Sequence, residues 1–198
     1  MKLTLDQTVY LQNVITLADL LNSGVDEALC DFPQVTKKHR NLLAGELLNI
    51  SQGLVPMRLS DASIYPIVSF WLPDDTLCLP DPTVAVELDP PAWNDFETTF
   101  VGFVFDRMRH ALNTVSDTQY LECRRPILDV VWLYCTALDG SGIHQMEDGE
   151  RYRPVLGYFD NSHKHRTTYY TPSDFEFLFL HEYVHGWADE HFAALETK

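Results

Sequence analysis

Eight histidines are spread along the chain, and three of them fall together in the stretch LFLHEYVHGWADEH at residues 178–191. Within it His181, Glu182 and His185 form His-Glu-x-x-His, and His191 follows His181 by ten positions. On a helix, residues i and i+4 lie one above the other, so two imidazoles at this spacing can converge on one ion. Zinc takes neutral imidazole nitrogen at ~2.0–2.1 Å in tetrahedral geometry, with room for a third protein ligand and a water. A carboxylate beside the first ligand can point at that water and act as general base while the metal lowers the water's pKa toward ~7. These residues therefore predict a metal centre with His181 and His185 as ligands and Glu182 as catalytic base.

The third ligand is open at this stage. His191 is the favoured candidate, but on an unbroken helix it sits ~9 Å along the axis from His185, too far to share an ion. Gly186 could break the helix earlier. Glu190 is the alternative, and His163 and His165, in the turn DNSHKH, are a third source. An oxyanion donor must come from upstream, because no Tyr, Arg or Lys follows the motif before Lys198; Tyr169 and Tyr170 are the candidates. His110 and His144 have no usable spacing. The loop Glu147-Asp148-Gly149-Glu150 carries too few oxygens at regular spacing for an EF-hand.

The elements that position these residues can be read from periodicity. Ser173 and Glu176 form a capping box, and Phe175 with Phe177–Leu180 makes the next turns apolar nearly all round, so the motif is expected on a helix buried deep in the domain. Residues 90–113 predict a long helix, with Asp89 as its cap and Trp93, Phe96, Phe100, Phe103, Val104, Met108 and Leu112 on one face. The run Pro126–Cys135 is β-branched and aromatic enough for a buried strand, though a helix is also compatible. Val155–Phe159 and Arg166–Tyr170 predict a hairpin. Toward the N-terminus, residues 5–22 show an apolar stripe ended by Gly24, and 36–52 predict a second helix. Prolines at 56, 66, 73, 80, 82, 90 and 91 predict only short strands and loops between 54 and 92.

The order of long helix, strands and FLHEYVHGW resembles the core half of the zincin metallopeptidases over roughly residues 90–191. The resemblance implies zinc ligands at His181 and His185, a catalytic Glu182, and a strand before the motif, at 166–170, whose edge aligns an extended peptide. The offset of His191 is that of the metzincin branch, but Ala188 stands where that branch has glycine and no methionine follows Met146. The gluzincin branch instead uses a glutamate, hence Glu190.

These residues lead to a single α+β domain, 1–198: a helical cap over 1–55, Pro-rich short strands and loops over 56–89, and a zincin-like core over 90–198. A formal charge of −15 disfavours nucleic acid and anionic membranes as partners. The basic clusters, Lys37–Arg40 and Arg124–Arg125, are too short to reverse this. No segment approaches the ~20 apolar residues of a membrane span, and the N-terminal stretch lacks a continuous apolar run, so a cytoplasmic location with reduced Cys30, Cys78, Cys123 and Cys135 is expected. The expected function is zinc-dependent hydrolysis of a peptide or protein substrate. Its rival is a non-catalytic acidic interaction protein that keeps the motif.

Overall fold

The structure is a computed structural model. It describes residues 5–74, 76–139, 144–145, 151–160, 166–172 and 179–197, with the backbone alone at 5–6, 144–145 and 151–152. The chain is a mixed α+β protein. Helices α1 (Leu5–Leu29) and α2 (Lys37–Ser51) come first, then strands β1 (Met57–Leu59), β2 (Ala62–Trp71), β3 (Leu77–Cys78) and β4 (Ala85–Leu88). Helices α3 (Trp93–Ala111), α4 (Asp117–Glu122) and α5 (Arg124–Leu138) follow. Strands β5 (His144–Gln145), β6 (Arg151–Phe159) and β7 (Thr168–Thr171) precede a 3-10 turn (Leu180–Tyr183) and helix α6 (Val184–Glu196).

One sheet runs in the order β1-β2-β6-β7-β4, with β3 paired to β2 and β5 to β6. All its pairings are antiparallel except β4 with β7. One buried cluster contains Leu17 and Leu21 of α1, Leu43 and Leu47 of α2, Phe100 and Val104 of α3, Val130 and Tyr134 of α5, and Val184 and Phe192 of α6. Residues 5–51 thus contribute to the same core as the helices that follow. A smaller cluster of Ile67, Leu79, Phe159 and Tyr169 is separate from it.

The expected hairpin is present: Tyr158 pairs with Tyr170 and Phe159 with Tyr169. Helix α2 starts at a capping box made by Thr36 and His39. Five expectations are corrected. Gly24 does not stop the first helix, which continues to Leu29. A Cβ there would lie 2.0 Å from Leu133 Cδ2, so this glycine is required by the approach of α1 to α5. Asp89 does not cap α3; its φ is 52°, and the N-cap is Ala92 without a side-chain bond.

The region 54–92 is not limited to short strands, because β2 is 10 residues long and contains Pro66. Pro66 pairs with Tyr158 on one side. On the other it falls between the register of β1, which ends at Ile64, and that of β3, which begins at Phe70, so its missing N–H breaks no ladder bond with either. Residues 124–138 form a helix, not a strand: Ile127, Val130, Val131, Tyr134, Cys135 and Leu138 are buried at helical spacing. Finally, β7 is not an edge, since β6 covers one side and β4 the other.

Candidate functional site

The motif does not lie within one α-helix. His181 and Glu182 belong to the 3-10 turn, and His185 is the second residue of α6. Leu180 and Val184, both fully buried, anchor the junction. The expected capping box at Ser173 and Glu176 lies outside the described residues. His181 is half-buried, whereas Glu182 and His185 are exposed, so the expectation that all three are deeply buried does not hold. The tighter winding, 3.0 rather than 3.6 residues per turn, sets His181 and His185 further apart around the axis than an α-helix does.

The polar contact that defines the site is one the motif does not contain. Asp139, just past the end of α5, has a fully buried side chain and forms a short hydrogen bond to Nδ1 of His181. A carboxylate on Nδ1 fixes that nitrogen as the N–H, holds the ring in one orientation, and leaves Nε2 as the acceptor. Two aromatic rings stand edge-on to the imidazole: Trp132 of α5 at 6.2 Å and Phe179 at 6.3 Å. Both are substantially exposed, 46% and 40%, and so form an apolar rim beside His181.

A second carboxylate comes from α3. Oε1 of Glu97 accepts the backbone N–H of Phe179 at 3.3 Å. Burial first, and the negative charge of Glu182 in addition, push the Glu97 carboxyl above its ordinary value, against the lowering effect of that hydrogen bond. Asp139, Glu97 and Trp132 were absent from the sequence reading. No spacing rule links them to the motif, since the Asp139–His181 contact spans 42 residues and Glu97 reaches Phe179 across 82.

His191 has a different environment. Helix α6 is continuous from Val184 to Glu196, and Gly186 lies inside it with nothing within 4 Å of a notional Cβ. Ala188, where a glycine would be needed to turn the chain back, is buried on the core face. The His191 ring stacks on Phe105 at 5.3 Å, its Nε2 meets the Tyr120 hydroxyl at 3.2 Å, and its Nδ1 faces Asp106 at 3.6 Å. Helix α6 therefore carries His191 into the α3–α4 side of the core and not toward His185. Glu190 is exposed, five residues beyond His185 on the same helix. His163 and His165 lie outside the described residues, as does the 147–150 loop, and His110 is exposed at the end of α3.

Neither candidate oxyanion donor stands out as available. Tyr169 is fully buried in the smaller cluster, its hydroxyl is 2.5 Å from Ser69 Oγ, and its ring fills the space over Gly157. Tyr170 stacks on Tyr158 instead, with centroids 5.1 Å apart.

Among the described residues no three His, Cys, Asp or Glu side chains gather at metal-ligand geometry. The donor chemistry nonetheless fits a metal at His181, whose buried carboxylate partner is the support that ligating imidazoles use. His191 does not fit. No helix among the described residues is long and apolar enough to cross a membrane, and no disulfide joins the four cysteines. No protein family, curated protein or solved structure matches the chain.

Proposed function

We propose that the chain is a zinc-dependent hydrolase of peptide or protein substrates, with His181 and His185 as ligands and Glu182 as general base. The observation that carries this reading is the buried Asp139 carboxylate on Nδ1 of His181. A buried charge is costly unless paired, and here it is placed where it makes Nε2 of a half-exposed imidazole a better donor. Zinc bound there supplies an acidified water and a polarised carbonyl. Under the same reading α3, the mixed sheet and residues 180–196 make up a zincin-like core, supported by the packing of α3 against both α6 and the turn that carries His181. Cysteines that form no disulfide are in keeping with a cytoplasmic setting.

The chain's own residues divide the proton work. Glu182, exposed beside His181, takes a proton at its carboxylate. Glu97, raised by burial and by Glu182, holds its proton to higher pH. Glu97 thus serves as the acid beside Glu182 as the base. The exposed faces of Trp132 and Phe179 offer contact to an apolar substrate side chain next to His181.

Metal analysis of the purified chain, with zinc add-back, tests this. Expected are about one zinc per chain, loss of zinc in His181→Ala and His185→Ala, and retention in Glu182→Gln with loss of peptide hydrolysis. Asp139→Asn should weaken zinc about 10–100-fold while keeping the fold. Absence of zinc in the wild type after add-back overturns the reading.

A second reading, a non-catalytic acidic protein that binds a partner, is favoured by the engagement of His191 in the core. It expects no zinc and no hydrolysis, with His181 and Asp139 keeping a structural role.

A further inference from the structure

A groove of about 730 Å³ lies between the β1–β2 turn and the end of β4, remote in sequence from the histidine motif. Its volume falls in the ~300–1,000 Å³ range of small-molecule and side-chain sites. Tyr158 and Tyr170 of the wall stack at 5.1 Å and 21°, backed by Trp93, outside the lining, which stacks on Tyr158 at 6.3 Å and 10°. The apolar surface of Pro90 and Pro91 lines the same space. Around the stacked tyrosines stand the carboxylates of Asp61, Glu87 and Asp160, and among the described residues the lining contains no lysine or arginine. Arg58, outside the lining, approaches Asp61 at 3.8 Å, and both of these side chains are largely exposed.

We propose that this groove binds an organic cation, an alkylammonium or guanidinium on a hydrocarbon stem, with its charge at Tyr170 and against Glu87, its register partner. Two independent features select this ligand. Tyr158 is buried between Trp93 and Tyr170, so Tyr170 is the ring that attracts a cation and covers its apolar stem, and anions are excluded by the carboxylates of the lining on a chain of charge −15. The rings already feel that field: burial, then Tyr170, Glu87 and Asp160, raise the Tyr158 hydroxyl to about 12. Strand β4 keeps Glu87 accessible, since all four of its residues are exposed and its one named partner is β7. The chemistry is shared by a free polyamine and by an arginine or lysine side chain displayed on a peptide.

Calorimetric titration with spermidine, and separately with an acetylated and amidated Ala-Ala-Arg-Ala-Ala peptide, distinguishes those sources. Saturable one-site binding of either probe is expected. It should weaken roughly tenfold in Glu87→Gln and in Tyr170→Leu, and fall further with added salt. Binding of spermidine alone assigns a free amine; binding of the peptide alone assigns a displayed side chain. Glu87 is exposed on an edge strand, so Glu87→Gln keeps the fold and stands as the decisive variant if Tyr170→Leu unfolds. The proposal is overturned if neither probe binds or if Glu87→Gln leaves affinity unchanged. It is equally overturned if the peptide with citrulline in place of arginine binds as tightly. The readout is binding alone and requires no metal, so it stands or falls separately from the hydrolase.

Discussion

Two histidines ten residues apart, His181 and His191, are held by opposite means. His181 sits on a 3-10 turn, half-exposed, with one nitrogen fixed by a buried carboxylate and the other left over. His191 sits on a regular helix with its side chain 9% exposed, both ring nitrogens facing partners and its plane stacked on Phe105. The first arrangement fixes a half-exposed ring at one nitrogen; the second uses the ring as core material. Spacing along the chain makes the two look equivalent, whereas the continuity of α6 separates them. A ligand ten positions on requires a reversal of the chain, and α6 makes none.

The largest break in this comparison is His191→Ala. Removing a ring packed among Phe105, Tyr120 and Phe192 leaves a cavity and an unpartnered Tyr120 hydroxyl. A loss of about 2–4 kcal/mol in unfolding free energy is expected, with zinc content per folded chain unchanged. His181→Ala should lose the zinc, and stripping the buried Asp139 carboxylate of this partner should also cost about 1–3 kcal/mol, so zinc content rather than stability separates the two variants. Denaturant titration beside metal analysis reads both. A variant at His191 that keeps full stability but loses zinc would restore it as a ligand and break the comparison.

What the sequence made legible divides along the same line. Features written in local pattern were readable: the existence of α2, the apolar face of α3, and the pairing of β6 with β7. The α5 segment misled because Val130, Val131, Trp132 and Tyr134 favour strands individually, while the burial of 127, 130, 131, 134, 135 and 138 follows a period of 3.6. Gly24 misled because a glycine needed for helix contact has the same letter as one that ends a helix. Asp139 was illegible for a different reason. An aspartate after a helix looks like a solvated cap, and only the packing of α5 against the 3-10 turn gives it His181 as a partner.

Gly186 offers a smaller and sharper test. In the first turn of an unbroken helix with open space at its Cβ, Gly186→Ala should stabilise the protein by about 0.5–1 kcal/mol. If instead the helix breaks at Gly186 to bring His191 to the metal, the same change forces a side chain into a turn that needs glycine, and stability falls. Gly102 is a control of opposite sign. A Cβ there would meet the Trp187 ring at 2.6 Å, and Trp187 is held by its own bond to Thr98 O, so Gly102→Ala should cost about 1–3 kcal/mol.

The smallest effect belongs to Glu97, which distinguishes the exposed side of the comparison from the core by pH. Its carboxyl is raised above the ordinary 4.5 chiefly by burial, so the folded protein binds this proton more tightly than the unfolded chain does. Stability linked to the group is then fully present below the unfolded value and declines as pH rises through the folded one. Glu97→Gln keeps an oxygen for the Phe179 N–H and removes the titration. Melting temperatures recorded from about pH 4 to 7 should show the wild type losing ground to the variant as pH rises, and by less in high salt, where the contribution of Glu182 is screened. A difference curve that is flat for Glu97→Gln would mean that Glu97 does not feel the charge beside His181, and with it the division of acid and base between Glu97 and Glu182 would fail.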